Sequence, residues 1–313
     1  MNILQRLTVP TGDILIVEGS KGTLEMLSLG DYGKDINLNQ DKQVLDGTPL
    51  LPLTEKWVLT ISTQYGCSMR CTFCDVPKVG PGRNASLSDL QGQVLTGLLL
   101  HPEVHTTKRL NIHFARMGEP TWNPAVLDCG KWLKEHIDPE YKVHPVVSTM
   151  MPRQNQWLKT FIHTWMRLKN RVYYGNAGLQ LSINSTSEVE RETMFNHNAC
   201  TLQEIAQIMT GIVPTGRKIT LNFAVAGYEV DPTVLLRWFP PEWYVCKLTP
   251  MHKTTTATSA GIHTEGDYTS PTTYTRLARE LRQAGYDVLV FIASNEEDSS
   301  KITCGNALLS LHK

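Results

Sequence analysis

From Trp57 onward, short apolar runs alternate with longer stretches in which apolar residues recur at helical spacing. The runs predict strands at Trp57–Ser62, Leu110–Ala115, Val143–Ser148, Leu179–Asn184, Ile219–Val225, Tyr244–Leu248 and Val288–Ala293. Most are near-continuous, the pattern of parallel strands buried on both faces. Helices are expected between them, over about 86–100, 124–136, 153–168, 187–194, 201–213 and 272–284. Ser86-Leu-Ser-Asp89 offers a capping-box start for the first. Such alternation implies an α/β fold with a parallel sheet. Six or seven units suit a partial (β/α)6-type barrel, where chemistry sits on loops at the C-terminal ends of the strands. Ahead of it, Asp13–Glu18 and Thr23–Ser28 read as a β-hairpin turning at Gly19-Ser-Lys-Gly22. The expected organisation is a hairpin and irregular linker over 1–55, then the barrel with a cysteine-bearing C-terminal segment over 56–313.

Composition narrows the classes. Of 313 residues, 41% are hydrophobic and 19% charged, which excludes a mostly disordered chain. Lys+Arg and Asp+Glu are each 30, so the net charge is zero and charge alone gives no support for a nucleic-acid partner. No apolar run approaches the ~18 residues of a membrane span, and the N-terminus has no signal-peptide apolar region. A cytoplasmic protein without a membrane partner is the expectation. Seven cysteines, an odd count, argue against a disulfide framework.

Three of those cysteines, Cys67, Cys71 and Cys74, form C-x3-C-x2-C on the loop after the first barrel strand. Three thiolates on a tight loop are soft ligands for iron–sulfur or zinc, and three rather than four leave one metal position open, as a catalytic site needs. No nearby His completes a zinc ligand pair. The spacing, with Phe73 before the last cysteine, resembles the signature of radical S-adenosylmethionine enzymes. That resemblance implies a [4Fe–4S] cluster on the three cysteines. Its fourth iron would take the amino and carboxylate groups of S-adenosylmethionine, and an electron would release a 5′-deoxyadenosyl radical.

The next strand ends in Met117-Gly118-Glu119-Pro120-Thr-Trp-Asn123. This M-G-E-P-x-x-N stretch resembles the RlmN- and Cfr-type adenine methylases. Gln64-Tyr-Gly-Cys67, Arg83-Asn84, Gly92-Gln93-Val94 and Cys304-Gly305-Asn306 are similar to further pieces of that family. The resemblance covers most of the chain. It implies cofactor contacts at Phe73, Gly118, Glu119, Ser148, Ser182, Asn184 (where the family has His) and His252 (where it has Asn). It implies that Cys304 is methylated and passes a methyl(ene) group to an sp² carbon of adenine, in a nucleic acid or nucleotide. Glu25, in the hairpin, would be a general base. A reductant such as flavodoxin or ferredoxin would supply electrons.

Two departures stand out. The family uses a second cysteine, seven residues before the first cluster ligand, to take the ring proton and release the adduct as a disulfide. Here that residue is Thr60, which cannot form a disulfide. Cys246, expected near the barrel mouth, is the candidate substitute, whereas Cys129 and Cys200 read as buried hydrophobes. Only a dozen residues precede Asp13, too few for the family's accessory RNA-binding domain. Lys78, Arg83, Lys108, Arg109, Arg116 and Lys253 are candidates for a basic mouth. Thr254–Gly261 reads as a polar loop long enough to be a mobile lid. The alternative reading keeps the adenosyl radical but acts on a small molecule or peptide without methylation. A third is a non-catalytic zinc or iron–sulfur protein.

Overall fold

The structure is a computed structural model that describes residues 1–32, 41–43, 49–263, 272–292 and 307–310. The strands are β1 (Ile3–Val9), β2 (Gly12–Gly19), β3 (Gly22–Leu29), β4 (Asp41–Gln43), β5 (Trp57–Ile61), β6 (Gln64–Tyr65), β7 (Arg83–Asn84), β8 (Leu110–Phe114), β9 (Val143–Thr149), β10 (Gly178–Ser182), β11 (Ile219–Val225), β12 (Tyr244–Pro250) and β13 (Asp287–Ile292). Eleven form one sheet in the order β1-β2-β3-β5-β8-β9-β10-β11-β12-β13-β4, while β6 and β7 pair separately. From β5 to β13 the pairs are parallel and the spatial order follows the chain. That order, unlike a doubly wound one, keeps the crossover helices on one face and is barrel-type. The described sheet does not close on itself.

The hairpin strands add antiparallel to this sheet, β3 pairing with β5 as Leu27↔Thr60 and Leu29↔Val58. The segment 1–55 therefore belongs to the same sheet at both edges, because β4 pairs parallel with β13. β1, mostly exposed, and β4 are strands that the hydrophobic pattern did not signal.

Alternation assigns the two faces. Trp57, Leu59, Ile61, Leu110, Ile112, Phe114, Leu179, Leu181, Leu221, Phe223, Cys246, Leu248 and Val288 share the main core with helix residues such as Leu90, Val94, Phe161, Trp165, Ile205 and Leu281. Period-two geometry then turns Thr60, His113, Ser148, Gln180, Asn222 and Lys247 to the opposite face. These six are half-buried. The expectation of strands apolar on both faces is thus corrected: the inner face is polar and solvent reaches it. Among the described residues no helix is long and apolar enough to cross a membrane.

The helix at Leu87–Leu99 begins in the expected capping box, Ser86 with Asp89. Asp89 also accepts hydrogen bonds from Ser20 N (2.9 Å), Ser20 Oγ (2.7 Å) and Tyr65 Oη (2.9 Å), tying the hairpin turn to the first helix. Burial raises its pKa, but the bonds from Ser20 and Ser86 outweigh it and bring it down to about 2.

Candidate cluster and cofactor site

The cysteine loop leaves β5 and returns through β6 and β7. Two glycines fix its path: at Gly66 (φ +79°) a Cβ would meet Gly80 O at 2.2 Å, and at Gly82 (φ +61°) it would meet Ser68 N at 2.4 Å. Both are backbone obstacles, so only glycine fits. The loop has its own apolar shell, separate from the main core: Met69, Cys71, Phe73, Met194, Phe195, Ala199, Met251 and Ala257, with Cys67 and Cys74 against it. Phe73 meets Phe195 edge-on at 5.9 Å. Cys71 and Cys74 also line a cavity of about 450 Å³ with Arg70, Thr72, Lys78 and Thr256.

Burial raises the Cys67 thiol to about 11, although the Met69 N–H (3.5 Å) and the backbone at Gly118 and Arg70 favour its thiolate. Cys71 is raised well above its usual range by burial, then by Cys74, Cys67 and Glu119. Three soft donors against an apolar shell, costly as bare thiolates, suit a group that brings positive charge. Among the described residues no three His, Cys, Asp or Glu side chains meet at a single metal ion. Ligands that each bind a separate iron of a cluster need no such meeting point.

The Gly118-Glu119 loop is bound to the cysteine loop through Gln64. Gln64 Oε1 accepts from Glu119 N (3.0 Å), Ser68 N (3.4 Å) and Ser68 Oγ (3.1 Å), while Nε2 donates to Asn84 Oδ1 (2.9 Å). Asn84 donates to Trp122 O, and Asn123 to Thr63 O and Ala85 O, each at 2.8 Å. Gln93 mimics a neighbouring strand: Oε1 accepts from Ser62 N (2.8 Å) and Nε2 donates to Ser62 O (3.0 Å). Among the described residues, the stretches around Gln64, Asn84, Gln93 and Glu119 are therefore joined by hydrogen bonds. Only the positions of these amides, not their partners, were legible beforehand.

Glu119 is buried at the end of β8. Its carboxylate accepts from Thr121 N (3.1 Å), Thr121 Oγ1 (2.7 Å), Thr149 Oγ1 (2.7 Å) and Met150 N (2.8 Å). Burial raises its pKa. Ser148 and Ser182 lie at strand ends on the inner face, and Ser182 pairs with Asn222. Asn184 takes φ +59°, tolerated by Asn, and its Oδ1 accepts from Ala224 N at 3.0 Å. His252 follows β12 and Met251, and its carbonyl accepts from Thr254 N. Glu25 is fully buried, paired with Arg116, and its Oε2 accepts from Leu308 N at 2.9 Å. Cys304 lies outside the described residues.

The inner face carries groups that the sequence reading passed over. His113 neighbours Thr60 in register. Burial, then Lys247, Arg217, Arg109 and Lys56, bring its pKa down to about 3, so it is neutral at pH 7. Their signal was the polar residue at every second position in Leu-Asn-Ile-His-Phe and Val-Cys-Lys-Leu-Thr. Of the basic residues expected at a mouth, Lys78 pairs with Asp75 (2.8 Å), Lys108 with Glu55 (2.8 Å) and Arg116 with Glu25.

The expected lid is docked. Thr255–Ser259 is a short helix whose Thr255 N, Thr256 N and Thr256 Oγ1 donate to Asp75, and Thr254 Oγ1 donates to Phe73 O at 2.7 Å.

The fold is similar to those of two solved proteins. A radical SAM methyltransferase from Sphaerobacter thermophilus aligns over 97% of this chain and 80% of its own, with a TM-score of 0.68 at 18% identity. Streptococcus suis SuiB bound to precursor peptide SuiA aligns over 77% of this chain and 49% of its own, with a TM-score of 0.52 at 11% identity. No protein-family model matches. In sequence, the chain is 29% identical over 188 residues to a probable dual-specificity RNA methyltransferase RlmN of Thermosynechococcus vestitus, 58% of this chain and 50% of that protein. It is 24% identical over 208 residues to the Aquifex aeolicus protein of the same name, 64% of this chain and 56% of that one. The chain is a sequence relative of the RlmN-type RNA methyltransferases. It spans about half the length of the curated relatives it matches.

In this RlmN-like chain the proposed thiol substitute for Thr60 is corrected. Cys246 pairs with Leu221 and Val288 and points into the helix-side core at 0% exposure. Thr60, on β5, faces the other way. Cys129 and Cys200 also lie in the main core. Among the described residues, no thiol outside the cysteine loop reaches the inner face.

Proposed function

We propose that this chain is a radical S-adenosylmethionine methyltransferase that uses Cys304 to pass a one-carbon group to an sp² carbon of an adenine-containing nucleic acid or nucleotide. The observation that carries the reading is the Gln64 junction, which joins the cysteine loop to the Gly118-Glu119 strand end. Cys67, Cys71 and Cys74 would hold the [4Fe–4S] cluster; Phe73, Gly118, Glu119, Ser148, Ser182, Asn184 and His252 would contact S-adenosylmethionine. When bound, the cluster supplies the electron that cleaves S-adenosylmethionine reductively.

The chain's own residues do the rest. The apolar shell around Phe73 encloses Cys71, and Cys67 and Cys74 pack against it while staying partly exposed. Glu119 locks the ends of β8 and β9 together. A reductant of the flavodoxin or ferredoxin kind and a cytoplasmic location complete the proposal.

A second reading is favoured by one observation. With Thr60 on the inner face and Cys246 turned away, the described chain offers no thiol to resolve a protein–adenine adduct. It keeps the radical chemistry and acts on a small molecule or peptide.

Anaerobic reconstitution tests the common core: about four irons per chain are expected, lost on substitution of any cluster cysteine by Ala. A colourless protein with stoichiometric zinc would refute it. Intact-protein mass spectrometry after incubation with S-adenosylmethionine then separates the readings. One added methylene unit on Cys304 supports methyl transfer, and an unmodified thiol in a protein that still cleaves S-adenosylmethionine supports the second.

A further inference from the structure

We infer that Glu25 is a positioning residue: with Arg116 it pins the C-terminal segment at Ala307-Leu308 onto the strands that lead into the cofactor site. Its carboxylate is fully buried. Oε1 accepts from the Arg116 guanidinium, and Oε2 accepts from the Leu308 backbone N–H at 2.9 Å. A carboxylate enclosed this way, ion-paired and already bonded at both oxygens, is poorly placed to collect a proton from a substrate.

The surroundings extend the pin. Ala307 packs with Ile14, Leu27 and Leu29 of the hairpin. The Glu25 carbonyl accepts from Ser62 Oγ, which in turn accepts from Met117 N at 3.2 Å. Ser62 follows β5 directly on the way to Cys67, and Met117 immediately precedes Gly118. One buried cluster thus ties the hairpin, the entry to the cysteine loop, the exit of β8 and the C-terminal segment. The functional consequence rests on the methyl-carrier reading, because Leu308 follows Cys304 by four residues of chain, a reach of about 14 Å at most. Fixing Leu308 limits where that cysteine can go.

The test uses the full, anaerobically reconstituted chain. Hydrogen exchange at the Leu308 amide is compared in wild type, Glu25→Ala and Glu25→Gln; Leu308→Pro, which has no amide hydrogen there, is tested by activity alone. Glu25→Ala should speed Leu308 exchange about tenfold or more, the effect of losing a bond to a charged acceptor. Glu25→Gln keeps one acceptor oxygen for two donors, Arg116 and Leu308 N, and should leave exchange between that of wild type and Glu25→Ala. Leu308→Pro removes the donor at the first position of a short helical turn, where Pro is tolerated, and leaves Glu25 and Arg116 intact. It carries the test if Glu25→Ala does not fold.

The second readout is the ratio of Cys304 methylation to reductive S-adenosylmethionine cleavage. It should fall about tenfold in Glu25→Ala and Leu308→Pro, and in Glu25→Gln it should follow the protection left at the Leu308 amide. Unchanged Leu308 exchange in Glu25→Ala would overturn the pin. So would a Gln variant that keeps Leu308 protected yet methylates as poorly as Ala, since that is the behaviour of a base. If wild-type Cys304 is never methylated, the methyl-carrier reading fails while the exchange result still decides the pin.

Discussion

Replacing Gly118 by Ala separates a structural demand from a cofactor-binding one. The residue sits at φ +94°. A Cβ there would lie 2.4 Å from Gln64 Cβ, 2.6 Å from Gln64 Cγ and 2.7 Å from Gln64 N. Gln64 cannot retreat cheaply. Its N–H donates to Met117 O at 3.1 Å, and its Oε1 holds Glu119 N and Ser68. Left-handed backbone at a non-glycine residue costs about 1–2 kcal/mol. Overpacking a well-filled site costs about 1–3 kcal/mol more. Gly118→Ala should therefore lose about 2–5 kcal/mol, read in urea as a lower midpoint at unchanged slope. Retention of reconstituted iron should fall with it, because the displaced Gln64 also supports the cysteine loop. A variant within about 0.5 kcal/mol of wild type that nevertheless fails to bind S-adenosylmethionine would refute this reasoning. Gly118 would then be needed only for close approach of the cofactor.

Two further outcomes are expected. Cys246→Ala should cost about 1 kcal/mol of packing and leave turnover unchanged, whereas Thr60→Cys should raise release of product if an adduct forms; a Cys246→Ala enzyme that stalls would show that the thiol reaches the inner face after all. Asp89 has its pKa held near 2, below its unfolded value of about 4, so its stabilising contribution is present above that value and lost as pH falls from about 4 to about 2. Asp89→Asn should flatten that part of the stability curve, measured by thermal unfolding from pH 2 to 6, and an unchanged acid limb would show that the Ser20 and Ser86 bonds do not form in solution.

The parallel strands were legible because each is a short apolar-rich run bounded by polar loops; Ile219–Val225 agrees to the residue. β4 was not, because Asp-Lys-Gln has no strand signal and is extended only by pairing with β13. The face of Cys246 was misjudged for a related reason. In Tyr-Val-Cys-Lys-Leu the apolar residues run through both parities, so the pattern does not say which side meets the helices. The candidate site divides the same way. Spacing alone announced Cys67, Cys71 and Cys74, because thiols three and four apart are rare. Gln64, Asn84 and Gln93 act through backbone groups up to 55 residues away, and no local pattern encodes such partners. Glu25 looked like a reactive carboxylate in the hairpin, and only the fold shows that Arg116 and Leu308 occupy it.

The bond between Glu25 and Leu308 spans 283 residues, nearly the whole chain. At about 5–20 residues per second, a ribosome that has just made Glu25 needs roughly 14–57 seconds to make Leu308. Arg116, by contrast, is only 91 residues on. The ion pair and the β3–β5 seam can thus be buried long before the final partner exists, leaving an oriented acceptor waiting in the nascent protein. Leu308, made long after Glu25, then docks on a strand that is already formed, and chains truncated before residue 308 would lack that closure.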